Sequence, residues 1–147
     1  MKRLILPIIV LFGIISFSLG QTTNTGALTI KINGFRNEKG LSCVSLFNNT
    51  KGFPGKYDQA YKIIRSGIKG KQVIVEFTDV PYGIYAVSVL HDENSNNKLD
   101  TNFIGMPKEG VGVSNNPKTF MGPPSYSASQ FNFQSPTKTL EINLKYL

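Results

Sequence analysis

Cysteine and histidine are almost absent from this chain of 147 residues, which has one of each, Cys43 and His91. A single cysteine excludes an internal disulfide framework and any cysteine-rich zinc site. A single histidine excludes metal sites built from several histidines and leaves little room for general-base chemistry. The glycine motifs of Rossmann and P-loop enzymes are also missing, as is an alternation of strands with helices. We expect Cys43, which lies in an apolar run, to be a buried small side chain.

The composition is that of a folded chain: 40% of the residues are hydrophobic and 11% are aromatic. This length supports one domain with a hydrophobic core and is too short for two. The net charge of +7 does not require a nucleic-acid partner, and we expect none. Six cations lie between residues 51 and 71 against the single Asp58, and they form either a solvated face or a surface that attracts an anionic surface or polysaccharide. These cations are Lys51, Lys56, Lys62, Arg65, Lys69 and Lys71.

The first twenty residues have the pattern of a signal peptide. Residues 1–3 are basic, residues 4–19 are apolar and almost uncharged, and residues 18–20 include the small residues that a signal peptidase reads. A retained membrane anchor is the alternative, but the run is short for a bilayer span and contains Pro7. We predict cleavage before Gln21, export to the periplasm or the medium, and no integral membrane segment in the remaining chain.

The rest of the chain, residues 21–147, alternates apolar and polar residues with a period of two, which indicates strands. Strands are predicted at residues 28–32, 41–47, 73–77, 84–90, 131–133 and 140–146. The run at 84–90 is apolar on both faces and is typical of a central strand. Only residues 58–65 could form a short helix. The sequence therefore predicts an all-β protein, a single antiparallel β-sandwich of about seven strands with a long loop rich in Gly, Pro and Asn.

The loop after the central strand has the spacing of an ion site. Oxygen-bearing side chains occupy its first, third, fifth and ninth positions, which are Asp92, Asn94, Asn96 and Asp100. Alternate side chains of a tight turn converge on one point, as a hard cation requires. Lys98, at the seventh position, would contribute its backbone carbonyl, and Glu109 would add a further carboxylate. We expect a structural calcium ion here, and the alternative is an Asn-rich turn whose side chains bond their own backbone.

The loop is not an EF-hand, because its twelfth position is Phe103 and not the bidentate Glu of that motif, and because no helix pattern flanks it. The stretch that follows, residues 101–129, shows little strand pattern and contains four glycines and four prolines. Loops of this length are usually functional or disordered. We expect it to form an interaction surface for an envelope protein or a polysaccharide. The predicted exposed contacts are Ser114, Asn115, Phe120 and Tyr126, with ordinary packing and turn capping as the alternative.

Three motifs carry a resemblance to a known family: FTDVPYGIYAVSVLHDENSNNKLD, FIGMPKEGVGVSNN and GPPSYSASQF. Together they resemble the bacterial exported family called domain of unknown function 2141, over most of the chain after residue 20. The sequence departs from the family pattern at Asn97, where glycine is usual, and at Val113, where an aromatic is usual. The resemblance implies export and β architecture and supplies no reaction. Residues 79–85 are also similar to the turn of transthyretin-like (prealbumin-like) sandwich modules, which are commonly accessory or binding domains.

We therefore expect an exported β-sandwich that is not an enzyme. One alternative is a hydrolase-like enzyme in which His91 and Asp92 act with a hydroxyl such as that of Ser125. Adjacent strand residues point to opposite faces, so His91 and Asp92 are poorly placed to act together, and no nucleophile elbow is present. A purely structural module of an envelope assembly is the other alternative.

Overall fold

The computed structural model describes residues 24–118 and 122–147. The predicted signal peptide, its cleavage point before Gln21, and Phe120 lie outside the described residues. Within these two ranges, none of the helices has both the length and the apolar character needed to cross a membrane.

Eight strands and two short helical turns make up the described part of the chain. The strands are β1 (Thr25–Asn33), β2 (Leu41–Phe47), β3 (Lys62–Ser66), β4 (Gln72–Pro81), β5 (Gly83–Asp92), β6 (Gly110–Val113), β7 (Phe131–Phe133) and β8 (Thr137–Asn143). The helical turns are a 3₁₀ turn at Tyr57–Gln59 and α1 (Tyr126–Ser129).

The strands form two sheets that pack face to face, as predicted for an all-β sandwich. One sheet has three strands in the order β4-β1-β8, and the other has the order β3-β2-β5-β6 with β7 also paired to β5. The pair β1–β8 is parallel, whereas the other pairs are antiparallel. A parallel pair needs a long connection, and the intervening strands of both sheets provide it.

The core explains the sequence pattern. In β1 the alternate residues Leu28, Ile30 and Ile32 are fully buried, as expected for a strand with one face on the core. β5 is buried on both faces from Tyr85 to Asp92, because the second sheet covers one face and loops cover the other.

The structure differs from the sequence pattern in two segments. Residues 58–65, which could have formed a short helix, belong to a 3₁₀ turn and the edge strand β3 that follows it. β3 is held by its antiparallel pairing with β2, a long-range contact that overrides local helix propensity. The segment 101–129 is also not a continuous loop, since it contains β6 and the short helix α1.

β6 is rich in glycine because the end of the chain crosses close to it. A Cβ atom on Gly110 would lie 2.5 Å from the ring of Tyr146, and one on Gly112 would lie 2.8 Å from the side chain of Ile142. These two positions face the core side of the sheet, where the register places them opposite His91 and Val89 of β5. Glycine is needed at positions 110 and 112 because a larger residue would not fit against Tyr146 and Ile142. In the sequence alone, the same glycines are typical of a loop.

Candidate functional site

The loop at residues 92–100 begins where β5 ends, and a buried carboxylate closes it. Asp92 is fully buried. Its Oδ1 accepts the backbone N–H of Asn96 at 3.0 Å, and its Oδ2 accepts that of Asn97 at 2.8 Å. Asn97 has a left-handed backbone with φ of 62°, a conformation that Asn tolerates better than most residues. The 92–100 loop is therefore a tight turn wound around the side chain of its first residue.

A second buried carboxylate joins the two ends of this loop. Glu109 lies immediately before β6, which pairs with the end of β5. Its Oε1 accepts the N–H of Glu93 at 2.9 Å, and its Oε2 accepts the N–H of Asp100 at 3.0 Å. Both acids thus use both carboxylate oxygens to accept backbone N–H groups of the loop. We call Asp92 and Glu109 the carboxylate clamp.

The spacing of the 92–100 loop brings three of the predicted ligands together. The side-chain amides of Asn94 and Asn96 donate to the carboxylate of Asp100, at 2.6 Å and 3.1 Å. The N–H of Lys98 donates to Asn96 Oδ1 at 2.8 Å. Asp92 and Glu109, the other two predicted carboxylate ligands, bond backbone N–H groups instead, so Asp100 is the carboxylate that is not engaged by the backbone.

A group of three or more His, Cys, Asp or Glu side chains able to hold a metal ion is not found among residues 24–118 and 122–147. The converging groups of the 92–100 loop are two amides and one carboxylate. All of them carry oxygen, which suits a hard cation. The amides point their N–H₂ groups at Asp100, so a cation would need them to rotate.

His91, the residue considered for catalysis, is fully buried and holds the end of the chain. Its Nε2 donates to the carbonyl of Lys39 at 2.8 Å, and the hydroxyl of Tyr146 lies 2.7 Å from its Nδ1. Both ring nitrogens are therefore engaged. Ser125 caps α1 by accepting the N–H of Ala128, and Asp92 bonds the 92–100 loop. His91, Asp92 and Ser125, the three residues of the hydrolase-like alternative, therefore each bond other groups and not one another.

Arg36 and Glu93 form an ion pair on the rim of this cluster. Arg36 Nε lies 2.6 Å from Glu93 Oε1, and the guanidinium stacks 4.7 Å from the centre of the Tyr146 ring. Partial burial alone would raise the pKa of Glu93, but the hydrogen bonds from Arg36 and Asn37 and the nearby charge lower it below its ordinary value. The pair fixes the start of the 92–100 loop against the connection between β1 and β2.

The predicted interaction residues are mainly packing residues. Ser114 is fully buried, so the prediction that it is an exposed contact is wrong. Its hydroxyl accepts the N–H of Val87 and donates to the carbonyl of Ser129, which satisfies two buried backbone groups. Asn115 is exposed, and its amide donates to the carbonyl of Gln130 at 2.9 Å. Tyr126 is half-buried and donates to the carbonyl of Ile84.

A cluster of exposed apolar side chains lies elsewhere, on a turn formed by residues 102–107, which we call the apolar turn. Phe103 is 99% exposed, Ile104 is 65% exposed and Met106 is 40% exposed. In the sequence, Phe103 stands out as a departure from the EF-hand pattern and as the first residue of the motif FIGMPKEGVGVSNN, and neither feature indicates its exposure. The available signal was a short apolar run, FIGMP, in a segment without strand alternation.

The apolar turn has a defined shape. Asn102 Oδ1 accepts the N–H groups of Ile104 and Met106 at 3.0 Å and 2.9 Å. The N–H of Asn102 donates to the carbonyl of Met106, and Gly105 has φ of 82°. A bridge between Thr101 and Pro107 closes the base. The apolar side chains are thus presented by an ordered backbone.

A cleft of about 540 Å³ lies beside the apolar turn, on the outer face of the five-stranded sheet. Ser88 and Val113 line its floor, and Pro54 and Tyr57 line the far side. Burial raises the pKa of the Tyr57 phenol above its ordinary value. The rim of the cleft includes Pro117 and Gly122, on either side of segment 119–121, which is outside the described residues.

Comparison with known proteins gives a family match. The sequence model of a family described as an uncharacterized protein conserved in bacteria (DUF2141) matches residues 30–141, well over half of the chain. No match was found among curated proteins or among solved structures.

Proposed function

The chain belongs to this bacterial family, DUF2141, and from that premise we propose that it is an exported, non-catalytic binding domain whose contact surface is the apolar turn. The observation that carries the proposal is the near-complete exposure of Phe103 beside Ile104 and Met106. Clustered large apolar side chains on a surface mark interaction sites. The proposal keeps the predicted interaction surface within residues 101–129 but moves its contacts from Ser114 and Tyr126 to the apolar turn.

Order in the apolar turn supports a binding role. A backbone that is already ordered loses less conformational entropy when the turn binds a partner. The hydrogen bonds of Asn102 hold the tip, and the carboxylate clamp holds the base through Asp100. Export is supported by the signal-peptide pattern of residues 1–20.

As part of the same proposal, the 92–100 loop binds a calcium ion that stabilises the base of the apolar turn. The support is the convergence of Asn94 and Asn96 on the carboxylate of Asp100, with oxygen on every side chain. Asp100 is a single carboxylate free of backbone hydrogen bonds, which is a low charge count, so we expect a dissociation constant on the order of 10⁻⁴–10⁻³ M, as in extracellular modules.

The contact surface is tested by thiol labelling in cells. A Phe103→Cys variant carries an exposed thiol, whereas Cys43 is buried and burial raises the pKa of its thiol, so background labelling is low. We expect the Phe103→Cys thiol to react in the purified protein and to be protected in the intact cell envelope. An Ile74→Cys variant is the control, because Ile74 is 65% exposed on β4 and should react in both settings. Equal labelling of both variants in the envelope would refute the proposed surface.

Calcium binding is tested by thermal unfolding in EDTA, in calcium and in magnesium. At a tenfold excess over the dissociation constant, a ligand of the native state stabilises by about 1.4 kcal/mol. The Asp100→Asn variant keeps the size of the side chain and should lose the calcium response. Glu38→Gln removes a charge from an exposed acid outside the loop and should keep it. A calcium response of equal size in Asp100→Asn would place the ion elsewhere.

A further inference from the structure

We propose that the apolar turn inserts into the surface of a lipid bilayer that carries anionic lipids. This rests on the proposed function, because it names the partner of the same surface. Three observations carry it: the shape of the turn, the exposed lysines beside it, and the burial of the nearby acids.

The shape favours a bilayer over a folded protein. Phe103 and Ile104 project from the tip of a narrow turn and lie 99% and 65% exposed. A specific protein interface usually buries roughly 1,200–2,000 Å² in total, which needs a broad surface around the tip. A bilayer needs only a projecting apolar tip, since its acyl region closes around the side chains that enter it.

The charges beside the tip are those that anionic headgroups attract. Lys98 and Lys108 flank the 102–107 segment, and both are exposed. The two acids nearest to this segment in the sequence are less exposed than the lysines, since Asp100 is half-buried and Glu109 is buried. Exposed lysines beside an apolar tip match an anionic lipid surface. A two-fold dimer through this tip would bring the same lysines together, which opposes self-association.

Tryptophan fluorescence tests the proposal, because the chain contains no tryptophan. The Phe103→Trp variant places one reporter at the tip, and Ile74→Trp places one at a strand position that is 65% exposed. Every variant is expressed as the full chain and is purified in the form that remains after processing in the cell. Any apolar segment retained from residues 4–19 then contributes equally to each variant. The probes are vesicles of phosphatidylcholine alone and of phosphatidylcholine and phosphatidylglycerol in equal parts.

We expect a blue shift of the Phe103→Trp emission on the anionic vesicles, with no shift for Ile74→Trp. In co-sedimentation, Ile104→Ser should lower the vesicle partition coefficient about tenfold, because a large apolar side chain no longer enters the acyl region. Ile74 and Ile104 are equally exposed, and Ile74→Ser should leave the vesicle partition coefficient unchanged. Raising the salt from about 0.1 M to about 1 M should weaken binding, since the screening length falls to roughly 3 Å.

Several results would overturn the lipid assignment. One is an unshifted Phe103→Trp emission on the anionic vesicles, and another is an equal shift for Ile74→Trp. Equal binding to both vesicle types would refute the role of anionic lipids. A blue shift of the Phe103→Trp emission that grows with protein concentration without vesicles would indicate that a second copy of the chain covers the apolar turn. If the Phe103→Cys thiol is protected in cells while Phe103→Trp reports no lipid, the contact surface stands and its lipid partner is refuted.

Discussion

Replacing Glu109 with glutamine should destabilise the protein substantially, although the side chain keeps its size and position. The Glu109 carboxylate is buried and accepts one backbone N–H from each end of the 92–100 loop, from Glu93 and Asp100. Glutamine has one acceptor oxygen and one N–H₂ group. One of the two backbone N–H groups would therefore face a donor instead of an acceptor.

The size of the effect follows from these contacts. A hydrogen bond to a charged acceptor contributes about 1.5–3 kcal/mol, and a buried donor left without a partner costs about 1–3 kcal/mol. These terms overlap, and we expect Glu109→Gln to lower the free energy of unfolding by about 2–4 kcal/mol. Natural domains have about 5–15 kcal/mol in total, so the loss is a large share. Glu109→Ala leaves both N–H groups unsatisfied and should cost more.

Urea unfolding followed by circular dichroism measures this difference. Glu38→Gln is the matched control, because Glu38 is exposed and the same charge is removed. It should change the free energy of unfolding by less than about 0.5 kcal/mol. A loss in Glu109→Gln as small as in the control would refute the carboxylate clamp. It would mean that solvent or neighbouring groups satisfy the two N–H groups of the loop.

Three further predictions concern packing, pH and the apolar turn. Gly112→Ala should lower the free energy of unfolding by about 1–3 kcal/mol in urea, because its Cβ would lie 2.8 Å from Ile142 in a packed core. Glu93→Gln should lower the free energy of unfolding at neutral pH, because it removes the ion pair that a charged Glu93 makes with Arg36. The ion pair with Arg36 lowers the pKa of Glu93, so the stability that the pair adds is lost as the pH falls through that lowered value. Unfolding measured from neutral to acid pH should show a difference between the wild type and Glu93→Gln of less than about 1 kcal/mol. This difference should shrink as the pH falls. Asn102→Ala should increase hydrogen exchange at the two amides that its side chain binds, with little change in global stability.

Each of these has an outcome that contradicts it. Gly55→Ala is the control for the packing prediction, since a Cβ at Gly55 meets no atom within 4 Å; equal losses for it and Gly112→Ala would exclude the close approach to β6. A pH-independent difference between the wild type and Glu93→Gln would remove the ion pair as its cause. Unchanged exchange in Asn102→Ala would show that the turn is held without the Asn102 side chain.

The strands that alternate clearly were predictable because burial on one face leaves a local pattern. β1 and β4 are half-buried, and their apolar residues recur at every second position. β5 was predicted as central because it is apolar on both faces, and both faces are covered. β3 was missed because it is a short edge strand whose stability comes from pairing with β2. That contact is distant in the sequence.

Local spacing also predicted the form of the 92–100 loop. Side chains at alternate positions of a tight turn must converge, and Asn94, Asn96 and Asp100 do. The roles of the two buried acids were less accessible. Asp92 acts within its own turn, but Glu109 reaches the loop because β6 pairs with β5.

What the sequence determined by itself is the class of the fold, most of its strands and the winding of the turn that follows β5. These depend on neighbours within a few residues, where chain geometry dictates which side chains share a face. Only the tertiary structure decided that the glycines of β6 pack against the chain's end, that Ser114 is buried, and that Phe103 is exposed. Burial depends on what the rest of the chain places over a residue. A polar Ser can lie inside where two backbone groups need partners, and an apolar Phe can lie outside where no described segment of the chain covers it.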